Sequence, residues 1–372
     1  LNTILHITPN LPPAVCGVGD YATVVGQRMG EIDLTVRCSY LAAGYRGRDV
    51  AVGACSPDWF WRQIAEHRSS TPGDNIGIVL HYSGYGYSPD GAPAWLAAAL
   101  EGRPAWAAEI RIATFFHELY ASGWPWQRAF WQSNRQRGVA VRIARASDAL
   151  LTNRGESAAW LEQVTGRPAG SVPHLPVPSN VGEPEQVPNY FDRPPQAVVF
   201  GGPKVKRPFL QGRGAKTTAA VCQKLGLTKL VDIGKPIDIN RKPFDQAGIE
   251  VVQLGYLEKD AVSQQLLMSR VGFFDYFPGY LEKSGVLAAM ATHGVAPLTF
   301  EHLQKSLMRL IAENAYHASL KSILSKIKPV VAQQQLAALA DHLHDFSHRN
   351  ALQAHALGCF SCFEPEAAAV HC

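Results

Sequence analysis

The sequence predicts an α/β protein of two doubly wound domains, and three observations predict it. Short apolar strands alternate with helical stretches along the chain, the pattern of parallel βαβ construction. The alternation runs twice, and the two runs are separated by Pro173–Pro195, which holds seven prolines and few periodic apolar positions. Finally, 372 residues with 47% hydrophobic and 18% charged content suit an ordinary globular chain of two domains.

The first run has candidate strands at Thr3–Ile7, Leu34–Cys38, Ile76–His81, Ile110–Phe116 and Ala149–Thr152. Helical patterns lie between them at Tyr21–Met29, Trp59–His67, Ala92–Leu100 and Trp126–Ala146. The second run has strands at Ala197–Phe200, Lys229–Ile233, Glu250–Gln253, Val271–Phe274 and Ala296–Thr299, with helices at Lys216–Leu225, Lys259–Met268 and Val286–Thr292. The stretch Lys305–Leu357 reads as helical throughout and is amphipathic over Gln333–His344. The resulting division is a first Rossmann-like domain at 1–175, an extended linker at 176–195, a second Rossmann-like domain at 196–335 and a helical segment with tail at 336–372. Two such domains joined by a linker would face a deep cleft, and ligands of doubly wound sheets bind outside the carboxyl ends of the strands.

Composition narrows the function. A balance of 35 basic and 31 acidic residues, +4 overall, is too small to argue for a nucleic-acid partner on its own, and none is expected. No apolar run approaches the roughly 18 residues of a membrane span, and the opening residues carry no charged-then-apolar export signal. A cytoplasmic protein is expected, with Leu1 read as an alternative start codon translated literally. Seven cysteines in a chain of this length are not a disulfide framework. Cys359 and Cys362 form a single Cys-x-x-Cys near His355, His371 and Cys372. Without a second pair this reads as a frayed tail rather than a zinc site, and no metal is expected.

The most informative segment is 273–298, which reads as a loop, a short helix of small residues and a Gly294-bounded return to a strand. The helix begins at Lys283-Ser284-Gly285. Unpaired N–H groups of a helix start, a glycine that admits close approach and a lysine together suit a phosphate. The endings Ala289-Met290-Ala291 and Gly294-Val295-Ala296-Pro297 resemble the donor-binding motif of GT-B glycosyltransferases of the group 1 type, with one extra residue at Thr292-His293. That family places two glutamates eight positions apart across this turn. Here the second of these positions falls at Ala288 and Glu282 is the only carboxylate between Asp275 and Glu301, so a homologue that binds nucleotide or glycan without turnover is the alternative reading.

Other strand ends offer further candidates. After the first strand, Gly17 and Gly19 ease a tight turn and Asp20 stands where it could cap the next helix. This Gly-x-Gly lacks the third glycine and the downstream acid of a dinucleotide site, which disfavours NAD. His81-Tyr82-Ser-Gly-Tyr85-Gly-Tyr87 offers aromatic faces and hydroxyls that suit sugars or simply fill a domain edge. His117 and Glu118 directly follow a strand, and Lys204, Lys206 and Arg207 follow another through a glycine turn. These basic residues are phosphate ligands or a solvated turn. Gly255-Tyr256-Leu-Glu258 ends a further strand. All eight tryptophans lie within the first 160 residues, and the helix near Trp126 carries Arg128, Arg135, Arg137, Arg142 and Arg145. Core tryptophans beneath a solvated arginine face are the ordinary reading, and peripheral contact with an anionic membrane is the other.

The resemblance implies a retaining, metal-independent hexosyltransferase of polysaccharide biosynthesis, and the absence of an Asp-x-Asp motif agrees. The nucleotide sugar would be a substrate, so no cofactor is implied. Donor binding falls to Gly17, Gly19, Lys204, Lys206, Arg207, Lys283, Ser284 and Gly285, and catalysis to His117 and Glu282. Tyr82, Tyr85 and Glu118 would meet a glycan or lipid-linked acceptor, and the segment at 255–258 would lie near the nucleotide base. A late helix of the family packs back on the first domain.

Overall fold

The computed structural model describes residues 1–14, 16–45, 55–121, 124, 126–277, 279–300, 320–324 and 328–364. The chain divides into two compact units, Leu1–Leu175 with Leu352–Cys372, and Pro176–Ala351.

The first unit is built on five parallel strands, β1 (Thr3–Thr8), β2 (Arg37–Ala42), β3 (Ile76–Tyr82), β4 (Ile112–Phe116) and β5 (Ala149–Thr152), in the order β2-β1-β3-β4-β5. Every residue of β1, β3, β4 and β5 is buried, as expected where helices cover both faces of a parallel sheet. Those helices are α1 (Gly17–Ile32), α2 (Pro57–Ser70), α3 (Gly84–Tyr87), α4 (Ala94–Glu101), α5 (Arg128–Ala146) and α6 (Gly155–Thr165). The second strand starts three residues later than its apolar pattern suggests. Asp33 accepts hydrogen bonds from the Thr35 amide and hydroxyl, and this local turn holds residues 33–36 out of the sheet, leaving Leu34 exposed.

The second unit repeats the plan with β6 (Gln196–Phe200), β7 (Lys229–Ile233), β8 (Glu250–Gly255), β9 (Val271–Phe273) and β10 (Ala296–Leu298), all parallel, in the order β10-β9-β6-β7-β8. Its helices are α7 (Pro203–Leu210), α8 (Gly212–Lys224), α9 (Lys242–Gln246), α10 (Lys259–Leu267), α11 (Gly285–Thr292), α12 (Leu320–Leu324) and α13 (Pro329–Arg349). α7 escapes the sequence pattern because Pro208 lies inside it and glycines flank it.

Three expectations change. Residues 176–195 are not an extended linker but part of the second unit, because they bury Val181, Tyr190 and Arg193, the last bonded to the Pro188 and Ser269 carbonyls. The helical segment 336–372 is divided. α13 packs on α11 and β10 of the second unit, whereas α14 (Leu352–Ser361) packs on α1 of the first, as the resemblance implies for a late helix. Residues 305–319 and 325–327 of the expected long helical stretch lie outside the described residues. Nor is the tail frayed at Cys359 and Cys362. Both thiols are buried in the apolar packing of the first unit, where burial pushes Cys362 up to about 12 and Cys359 higher. Neighbouring His355 is tied to the Tyr21 hydroxyl at 2.5 Å. His371 and Cys372 lie outside the described residues.

Candidate functional site

A doubly wound sheet opens a crevice where connections leave in opposite directions from neighbouring strands. In the second unit that point lies between β6 and β9, because β6 leads to β7 on one side and pairs with β9 on the other. The segments leaving both strands meet there. Gly201, with φ of 125°, is held so near α11 that a β-carbon on it would come within 3.3 Å of Val286. Its carbonyl in turn sits 2.5 Å from where a β-carbon of Gly234 would be, and the Gly234 amide donates to the Gly255 carbonyl at 2.8 Å. Glycines therefore let the segments after β6, β7 and β8 pack together.

Two helices start at this edge. α7 begins at Pro203, which presets its first turn. α11 begins at Gly285 behind a 3-10 turn, Leu281–Lys283, and the Ser284 hydroxyl accepts the Leu287 amide at 3.2 Å as its cap. Helix starts carry partial positive charge and first-turn N–H groups without intrahelical partners. Lys204 and Arg207 are exposed on α7, and Lys283 is half-buried immediately before α11. Lys206 is not available to a ligand. Its ammonium is fully buried, 2.6 Å from Asp232 and 2.7 Å from the Lys235 carbonyl, so helical periodicity turns it under the sheet edge between its two exposed neighbours. Gln253 completes the cluster by donating to Asp232 at 3.1 Å.

Glu282 accepts the Val177 amide at 2.8 Å through its carbonyl. With Ser284, Ala288 and Pro176–Ser179 it lines a cavity of about 20 Å³, room for a water and far too small for a sugar nucleotide. Asn180 was not legible as a site residue. Its side chain lies against the start of α11, 3.5 Å from where a Gly285 β-carbon would be, and only the folding back of residues 176–183 brings it there. The inserted His293 is a structural plug, bonded to the Ala289 carbonyl at 2.7 Å and Ser263 at 2.8 Å, with its pKa lowered to about 4 by burial.

In the first unit the corresponding point lies between β1 and β3. Gly86 packs on Pro9, whose Cγ lies 2.4 Å from where a Gly86 β-carbon would be, and Gly19 approaches the Asn10 carbonyl so closely that any side chain would collide. Among the described residues nothing lies within 4 Å of where a Gly17 β-carbon would be, so the glycine does not serve a close approach there. The cap of α1 is Cys16, whose sulfur accepts the Gly19 amide at 3.5 Å, and Asp20 sits inside the first turn. Tyr82 also changes role. It is fully buried against Tyr87 and Phe116, where it cannot meet an acceptor. Tyr85 remains 43% exposed, donating to Gln132 at 3.2 Å and accepting from Gln136 at 3.0 Å. Glu118 is exposed and accepts from Ser83 at 3.1 Å. Buried Gln136, another residue without a sequence signal, ties this edge together through Tyr85, the Asp90 carbonyl and the Ala121 amide.

His117 ends a row of imidazoles. His6 Nδ1 lies 3.0 Å from His81 Nε2, and His81 Nδ1 lies 3.1 Å from His117 Nε2, with Tyr21 edge-on to His81 and His117. Burial lowers His6 to about 3, and burial with its two neighbours holds His81 well below the usual histidine range. Those two rings are therefore neutral. His6 Nε2 is buried without a partner among the described residues, and an orphaned lone pair costs less than an orphaned N–H. The row then runs His6 to His81 to His117, which leaves the proton of a neutral His117 on Nδ1.

No protein-family model and no curated protein matches the sequence. Solved structures do. An α-glucosyltransferase in complex with UDP and a 13-mer DNA containing an HMU base superposes with a TM-score of 0.50 at 10% identity, over 97% of this chain and 98% of that one. The fold is that of the GT-B glycosyltransferases. AviGT4, a glycosyltransferase involved in avilamycin A biosynthesis, is similar at a TM-score of 0.49 and 14% identity, over 98% of this chain and 97% of that one. WaaG, a glycosyltransferase involved in lipopolysaccharide biosynthesis, is similar at 0.45 and 13%, over 96% and 98%. At such identities the likeness is one of GT-B architecture. Among the described residues, no helix is long and apolar enough to cross a membrane.

Proposed function

We propose that the protein is a glycosyltransferase that takes a sugar from a nucleoside-diphosphate donor held by the second unit. The observation that carries this reading is the convergence of two helix starts, α7 and α11, at the switch point between β6 and β9, joined through Gly201 and Val286. Departure of a nucleoside diphosphate builds negative charge on its phosphates. Helix N-termini, Lys204, Arg207 and Lys283 stabilise that charge without a metal. The Ser284-capped turn and Gly285 give the backbone its close approach, and Glu282 contacts the donor ribose or sugar. The segment at 255–258, with Tyr256 exposed, lies at the carboxyl edge where a base would sit.

The first unit, on this reading, receives a glycan or lipid-linked acceptor. Tyr85 offers an aromatic face, Glu118 accepts hydrogen bonds, and the His117 imidazole meets a sugar hydroxyl. Transfer proceeds with retention of configuration, on a hexose. Ala288 favours a second reading, binding without turnover, because a small side chain stands where the resembled family has an acid.

Calorimetric titration with UDP, GDP, ADP and NAD tests the proposal. Binding of one nucleoside diphosphate, followed by turnover of its sugar conjugate, is expected. Diphosphate binding without turnover of any conjugate would favour the second reading, and silence from all three diphosphates would remove the donor-site assignment.

A further inference from the structure

The tryptophans of the first unit divide into two populations. Trp61 is buried, Trp59, Trp95 and Trp160 pack on the core, and Trp106, 41% exposed, leans edge-on against Trp61. Trp124, Trp126 and Trp131 are 64%, 77% and 74% exposed, and Phe130 is 43% exposed. These four gather where the chain enters α5. Trp124 and Trp126 stack at 5.3 Å between ring centroids, and Phe130 meets Trp131 edge-on at 5.4 Å. Single exposed apolar residues are ordinary, but a contiguous group of large aromatics marks an interaction surface.

Charge identifies the partner. No aspartate or glutamate occurs between Glu118 and Asp148, and α5 carries five arginines. Asp90 neutralises Arg135 at 2.7 Å, and Glu101 neutralises Arg142 at 2.6 Å. Arg128 is exposed on the first turn of α5 beside the aromatic group, and exposed Arg137 lies 5.0 Å over the Tyr120 ring. Indole rings favour the headgroup region of a bilayer, where an apolar body and a polar N–H are both satisfied. Arginines beside them draw the surface towards anionic lipid.

We infer that the entry to α5, through Trp124, Trp126, Phe130, Trp131 and Arg128, is a docking surface for an anionic membrane. Attachment is interfacial: the indoles lodge among the headgroups while Arg128 faces the lipid phosphates. The surface adjoins Tyr85 through its partner Gln132, the residue after Trp131, so a bound membrane lies beside the edge assigned to the acceptor. The membrane inference itself stands on exposure and charge and is independent of the donor reading.

The test is sedimentation of the full chain, without nucleotide, with phosphatidylcholine vesicles and with vesicles in which roughly a third of the lipid is phosphatidylglycerol. The chain is expected to pellet with the anionic vesicles and to be released by salt. Trp126→Ala with Trp131→Ala should lower partitioning about tenfold for each indole removed, and Arg128→Gln about fivefold. Unchanged near-ultraviolet circular dichroism and thermal midpoint would verify that these exposed substitutions leave the fold intact. Failure to pellet with either vesicle overturns the inference, as does equal pelleting with both. A wild-type dimer that binds no vesicle and is lost in the tryptophan variants would instead make this face a protein interface. Diphosphate titration of the same samples separates failure here from failure of the donor assignment.

Discussion

The carboxyl edges of the two sheets share a plan and differ in charge. Each has its switch point beside the first strand of its unit, and each is closed by glycines that let neighbouring segments touch. At the second edge two helix starts meet, with Lys204, Arg207 and Lys283 close by. The first edge presents instead His117, at the end of a buried imidazole row, with a tyrosine and a glutamate. On the proposed reading, one scaffold yields one edge for a charged diphosphate and another for sugar hydroxyls. On that reading strand-end side chains, not topology, divide the labour.

Acid gives the largest expected difference between the units. His6 and His81 in the first unit, and His293 in the second, are held neutral by burial, whereas unfolded histidines titrate near 6.5. Their folded pKa values are depressed, so the unfolded chain binds more protons and stability falls as pH drops below 6.5 towards 4. His6, lowered to about 3, alone contributes a loss on the order of a few kcal/mol at the acid end. All eight tryptophans belong to the first unit, so their fluorescence follows that unit while far-ultraviolet circular dichroism follows both. Fluorescence is expected to change first in an acid titration, and coincident transitions would contradict the contrast.

Lys206 tests whether the cations of the second edge have different tasks. Lys206→Ala leaves Asp232 buried without its ion pair and is expected to cost about 3–5 kcal/mol in denaturant unfolding. Lys206→Met with Asp232→Leu should recover most of that stability. At the first edge, His117→Ala should slow turnover roughly a hundredfold while diphosphate affinity in calorimetry stays unchanged. A matching loss of diphosphate affinity would erase the proposed division. Lys204→Ala and Lys283→Ala are expected to weaken the diphosphate about tenfold each with thermal midpoints unchanged. The smallest effect belongs to Ser284→Ala, about 1 kcal/mol of stability from the lost cap.

The sequence determined the kind of protein this is. Among the described residues every strand but β2 was legible in place, because apolar β-branched runs bounded by glycine and proline are local signals and burial on both faces leaves little freedom, whereas half-exposed β2 slipped by three residues. The Lys283-Ser284-Gly285 helix start was legible for the same reason, since a cap and its first turn are neighbours in the chain. Tertiary structure decided which candidates reach solvent. Lys204 and Arg207 face outwards and Lys206 inwards through the turn of a helix that Pro208 hides, and Tyr82 lies in the core while Tyr85 does not. Gln136, Asn180 and the His6–His81–His117 row carried no signal, because each depends on contacts between segments far apart in the chain. Composition could not separate the four core tryptophan positions from the exposed ones either. Which indole meets water depends on what packs above it, and that is settled only when the elements assemble.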